Sequence, residues 1–190
     1  MNPVEHVFAG WAVANALPLE RRDRMLVTIA GVIPDLDGFG MLPELLTRGT
    51  KHELLWWTDY HHILGHNLGF ALLCTAGSLF VARRRELTAL LVAVSFHLHL
   101  LCDVIGARGP DGYQWPIPYL LPFSNAWQWT WSGQWALNAW QNVVIMILLL
   151  LFALWVAVRR GRTPVEMFSA RGDAVVVAAL RARMGRRRNA

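Results

Sequence analysis

Apolar residues fall along this chain in five stretches, separated by charged or glycine- and proline-rich breaks. The first opens on Asn2, Pro3 and Glu5, with a capping side chain, proline at the first helical position and a glutamate three residues after the cap. That pattern predicts a helix to about Leu17. Pro18 and the charged run LERRDR turn the chain, and MLVTIAGVI predicts a second helix ending at Pro34. Neither reaches the roughly 20 residues that a membrane-spanning helix needs. Residues 38–60 are mixed, with Gly38, Gly40, Pro43, Gly49 and the pair Trp56 and Trp57, and predict a connection with one short amphipathic turn. Long apolar spans are predicted from His61 to Ala82 and from Leu87 to Ile105, joined by a tight basic turn, RRRE. A third follows over VVIMILLLLFALWVAV, the strongest apolar run in the chain.

Between the last two, residues 106–138 are rich in Gly, Pro and Trp, which suits a segment at headgroup depth. After Arg159 and Arg160, the residues Thr163, Pro164 and Glu166 repeat the helix-start pattern, so the tail is expected to form an amphipathic surface helix. The expected fold is all-α. It is a polytopic membrane helix bundle with three long spans, two shorter N-terminal helices and a C-terminal amphipathic helix. Residues 1–158 form the bundle, and residues 159–190 form a basic cytoplasmic or interfacial tail.

Composition moves the same way. The 190 residues are 55% hydrophobic and 16% charged, against about 25% charged in a soluble domain. The net charge of +5 is uneven, because residues 159–190 hold nine arginines against Glu166 and Asp173, leaving residues 1–158 at −2. Such a tail fits anionic lipid or a solvated end better than nucleic acid, and no nucleic-acid partner is expected. Cys74 and Cys102 lie in apolar runs and are expected as buried thiols rather than a disulfide. The first segment lacks a basic leader and a cleavage site, so no cleavable signal peptide is expected.

Arginine groups at 21–24, 83–85 and 159–162 follow the first, third and fifth stretches, and the positive-inside rule puts that end in the cytoplasm. The histidines and aspartates then fall at the other end. His6 starts the first stretch, Asp35 and Asp37 finish the second, His61, His62 and His66 start the third, and His99 and Asp103 finish the fourth. At ~1.5 Å per residue, Asp35 stands about 16 Å above Arg24 and His99 about 21 Å above Arg85, so the polar groups share a layer. Ionisable groups at membrane depth are costly and mark function.

His99 and Asp103 are four residues apart and share a helix face, as a metal ion requires. His97 lies roughly 200° round the same helix and is expected to be a packing contact. IPDLDG offers two carboxylates just past a helix-stopping proline, either for a metal or with one acting on a water as general base. In YHHILGHN, His62 and His66 are helical i, i+4 partners, whereas His61 points inward only if it precedes the first turn. Nitrogen and oxygen ligands suit zinc, with manganese or iron as substitutes. Six or seven ligands are too many for one tetrahedral ion, but two ions bridged by Asp103 would use them.

In their order, His6, PDLD (Pro34 to Asp37), HHILGHN (His61 to Asn67), HLLCD (His99 to Asp103) and Trp115-Pro116 resemble the LexA-binding, inner-membrane family of metal-dependent hydrolases. The likeness covers roughly residues 1–120. Those motifs are also distantly similar to zinc-dependent phospholipase C. The resemblance implies a zinc hydrolase with metal ligands His6, Asp35 or Asp37, His61, His66, His99 and Asp103, and favours His61 over His62. Where the family reads His-Arg and Thr-His-Ser, this chain has His61-His62 and Gly65-His66-Asn67.

The resulting expectation is a multi-pass protein of the bacterial inner membrane with a two-metal site on the periplasmic side. It would use metal-activated water on a phosphoester or related ester of a lipid or lipid-linked substrate. Asp37 would orient or deprotonate the water, and His62 would either support a ligand from behind or touch the substrate. The alternatives are a metal-ion or proton transporter, a haem protein using His66 and His99, or a membrane adaptor. Membrane lipids are the expected partners, and the sequence leaves the oligomeric state open.

Overall fold

A computed structural model describes residues 1–186; Arg187 and Arg188 of the basic tail lie outside the described residues. The first helix, α1 (Pro3–Ala14), starts as its sequence dictates. Asn2 accepts from the Val4 and Glu5 amides, and Glu5 returns to the Asn2 amide at 3.0 Å. Helix α2 (Arg21–Ala30) stops at Gly31, and IPDLDG continues as a 3₁₀ helix, Ile33–Gly40, rather than a loop. Two short helices follow, α3 (Met41–Thr47) and α4 (Trp56–Tyr60), before α5 (Leu68–Val81), α6 (Arg85–Gly106) and α7 (Trp140–Arg160).

The expectation of three long spans is met in part. Among the described residues two helices, α6 and α7, are long and apolar enough to cross a membrane. A third passage is available only if α2 and the Ile33–Thr47 pair, bent by 47°, form one broken span. Helix α5 has 14 residues, about 21 Å of rise against a ~30 Å hydrocarbon core. It starts at Leu68 because Asn67 caps it, its side chain accepting from the Phe70 amide at 2.9 Å. The seven residues before it are held out of helical geometry by tertiary contacts described below.

The central element is α6, which packs against α1, α2 and α5. One buried cluster joins Ala14, Leu19, Val27 and Ala30 to Leu91 and Val92; a second joins Ala71 to Phe96, Leu100, Val104 and Ile117. Helix α7 leans on α1 through Trp11, Ala153 and Val156 and leaves Trp140, Leu148 and Leu151 more than half exposed, as a lipid-facing surface does. Where α1, α2 and α6 cross, small residues let the backbones touch. A Cβ added at Gly31 would stand 2.9 Å from the Gly10 Cα and 2.8 Å from Ser95 Oγ.

The three arginine groups gather at one end. Asp23 accepts from the Arg83 and Arg84 amides at 2.9 Å each, Arg24 forks onto Glu166 at 2.6 and 2.8 Å, and Arg162 donates to Asn15 Oδ1 at 2.9 Å. The helix start expected at Thr163 proves to be a single 3₁₀ turn, Pro164–Met167, capped by Thr163. Helix α8 (Ala170–Arg186) begins after it. The Trp-rich segment is irregular, tied by single bridges between Ile117 and Trp129 and between Arg108 and Ala136.

Candidate metal centre

Four separate pieces of chain bring histidine and aspartate to the end opposite the arginines: α1, the 3₁₀ helix, the turn before α5, and the last two turns of α6. The i, i+4 spacing works as expected, with His99 Nε2 3.0 Å from Asp103 Oδ2. His6 Nε2 lies 3.0 Å from Asp103 Oδ1, and the His6 and His99 rings are 3.8 Å apart. The Met1 amine also meets Asp103 Oδ1. Asp35 Oδ1 approaches His99 Nε2 at 3.7 Å and His66 Nε2 at 4.0 Å.

The turn carrying His61, His62 and His66 is shaped by the 3₁₀ helix. Gly65 packs so tightly that a Cβ there would fall 2.2 Å from the Pro34 carbonyl oxygen, and the Gly65 amide donates to Asp37 Oδ2 at 3.1 Å. His62 takes a left-handed backbone, φ 65°. A continuous helix from His61 could meet neither condition.

Asp37 holds the histidines rather than standing open. Its Oδ1 accepts from His61 Nδ1 at 2.9 Å, and its Oδ2 accepts from His66 Nδ1 at 3.0 Å. His99 Nδ1 donates to the Gly31 carbonyl at 3.0 Å. A carbonyl only accepts, so Nδ1 carries the proton and Nε2 presents a lone pair. His66 is turned likewise, and the two Nε2 atoms lie 3.1 Å apart. Burial opposes charge on His66, but Asp103 and Asp37 beside it prevail and push its pKa up to about 9.

Two sets of ligand atoms each converge within 4.8 Å: His6, Asp35, His99 and Asp103, and His62, His66 and Asp103. Asp103 belongs to both, while Asp37 and His61 belong to neither. His62 rather than His61 is in the second set, and it arrives there through the left-handed turn, not through helical spacing. The donor set fits divalent ions. Asp35 Oδ2, Asp103 Oδ2, His6 Nδ1 and His62 Nδ1 are buried without hydrogen-bond partners, which a bound cation and its water would relieve. His97 is a packing residue as expected, donating from Nδ1 to Ala93 O at 2.7 Å and accepting at Nε2 from Tyr119 at 2.9 Å.

Two contributors, Gln134 and Trp57, were not expected at the site, and a third, Trp115, was marked only as part of a motif. Gln134 caps the Asp103 carbonyl at 2.7 Å from the Trp-rich segment. Trp57 stacks on His61 at 3.8 Å, and Trp115 stands 5.2 Å from His62. Only Trp115 had a local signal, the Trp-Pro pair.

An all-α membrane protein with a buried histidine–aspartate cluster at one end of its bundle is the class that fold and site define. The chain belongs to the YdjM inner membrane protein family, which it matches over residues 1–181. It is therefore a multi-pass inner-membrane protein. No curated protein and no solved structure matches it, so the likeness to phospholipase C has no support from those comparisons.

Proposed function

We propose that this protein is a membrane-bound, metal-dependent hydrolase acting on a phosphoester or related ester of a lipid or lipid-linked substrate. One observation carries the reading: Asp103 belongs to two ligand sets at once, the arrangement by which one carboxylate bridges two ions. His6, Asp35 and His99 would complete one ion's shell, and His62 and His66 the other's. Zinc, manganese or iron in those positions supplies Lewis-acid activation of water and neutralises charge on the ester.

The protein's own groups do the rest. Asp37, with both oxygens taken by His61, His66 and Gly65, orients rather than accepts protons. That removes it from the general-base role its sequence position suggested. His61 donates from Nδ1 to Asp37, so its Nε2 is the free basic nitrogen at the rim and takes the part of proton acceptor. Trp57, stacked on it, fixes the ring. With the arginine end in the cytoplasm, the site opens on the periplasmic side at headgroup depth, where a lipid presents its polar bond.

Transport is the weaker reading. A permeation path needs a polar column below the cluster, and there Ser95 is wedged between Gly10 and Gly31. The test is purification without added metal, elemental analysis, and assay against lipid phosphoesters. Stoichiometric metal, chelator-sensitive turnover and loss of both in Asp103→Ala are expected. Metal-free protein, or hydrolysis indifferent to a chelator, would sink the proposal.

A further inference from the structure

Helix α8 is hydrogen-bonded at two points to the chain around the end of α7. Near its start, Asp173 accepts from the Thr163 amide and hydroxyl at 2.7 and 2.6 Å. Two turns later, Arg181 donates to the Val158 carbonyl at 2.9 Å, beside Gly161. Eight helical residues cover about 12 Å, yet both ends of that length return to residues 158–163, where the span α7 terminates. A helix tied twice to the end of a span stays beside that end, at the membrane surface. Arg160 over the Trp155 ring, 5.2 Å from its centroid, marks the same boundary.

The side of α8 turned to the protein carries Asp173 and Val177, both buried. Its outward side carries Ala174, Val175, Ala178, Ala179 and Ala182, all exposed, with Val175 at 70%. Phe168, just before the helix, is 86% exposed. A helix facing water presents its polar face outward; this one presents an apolar face. Arg171 shares this outward side, Arg183 lies at its edge, and the helix's one acidic residue, Asp173, is spent inside on Thr163.

We infer that α8 is an interfacial helix that seats Phe168 and Val175 in the bilayer boundary while Arg171 and Arg183 contact the phosphates of anionic phospholipid. Charge complementarity and continuity with the α7 span single out lipid as the occupant of this face. The inference is independent of the hydrolase reading.

The test uses the full chain in nanodiscs of anionic or purely zwitterionic phospholipid. A polarity-sensitive dye is placed at Val175→Cys in a Cys74→Ala, Cys102→Ala background, with lipid-borne and aqueous quenchers as probes. In anionic discs the dye should shift to the blue, be quenched from the lipid and be protected from the aqueous quencher. Each of Arg171→Gln and Arg183→Gln should lower the docked-to-free ratio roughly fivefold, from about 1 kcal/mol per arginine at an anionic surface. Because both arginines are exposed, these variants keep the bundle intact. Free access of the aqueous quencher in anionic discs overturns the inference, and so does a signal indifferent to lipid charge or to both arginines. A dye shielded equally in detergent points to a protein partner, which also overturns it.

Discussion

At the scale of single residues, the site is organised by which oxygen or nitrogen is already engaged. Asp37 and Asp103 are both buried carboxylates amid histidines, but Asp37 is saturated by donors and Asp103 Oδ2 is without a hydrogen-bond partner. On the two-metal proposal, the first therefore tunes ligands and the second is free to be one. Asp37→Asn should weaken metal binding by about 10–100-fold, the usual effect of losing a carboxylate that orients a histidine ligand. A competition titration with a chromogenic chelator measures it, and unchanged affinity would remove Asp37 from the ligand support. The i, i+4 pairing of His99 with Asp103 was legible because it needs only one helix. The division of labour between His61 and His62 was not, since it depends on Asp37, more than 20 positions away.

At the scale of elements, the turn at residues 61–67 decides whether the site exists. A span from His61 looked natural from its apolar composition, yet Gly65 must lie against Pro34, and His62 must adopt a left-handed backbone to enter the cluster. Gly65→Ala, with its Cβ 2.2 Å from the Pro34 oxygen, has to displace the turn. We expect loss of bound metal with helical circular dichroism retained; full metal occupancy would show that the turn tolerates movement. Asn67→Ala removes the α5 cap, worth about 1 kcal/mol, and also the bonds that its Nδ2 gives the Ile63 and Leu64 carbonyls of the turn, so it should cost more than a cap alone, read from unfolding in detergent.

For the whole molecule, the two ends differ in kind: candidate metal ligands at one, ion pairs at the other. The buried pair of Arg24 with Glu166 fastens the tail to α2. Arg24→Ala leaves that carboxylate alone and should destabilise by roughly 3–5 kcal/mol, whereas Arg24→Met with Glu166→Leu should recover most of the loss. Thermal unfolding of the detergent-solubilised protein distinguishes them. Reporter fusions after Arg84 and after Asp111 should fall on opposite sides of the membrane, cytoplasmic and periplasmic respectively. Both on one side would contradict passage of α6, and the reverse pattern would turn the site to the cytoplasm.

The chain alone determined what short-range physics controls. Continuous apolar runs made α6 and α7 membrane spans, the Asn2–Glu5 box started α1, and four-residue spacing put His99 over Asp103. Uneven arginines marked one end of the bundle, and the order of His and Asp motifs marked the other. Only the folded molecule decided that the third long span shrinks to α5, that IPDLDG coils into a 3₁₀ helix, and that His62 rather than His61 joins the ligand sets. Helix starts and hydrophobic length are written within a few neighbouring residues. The fit of Gly65 against Pro34, or of His99 under the Gly31 carbonyl, arises between segments that meet only after packing, and no local pattern carries it.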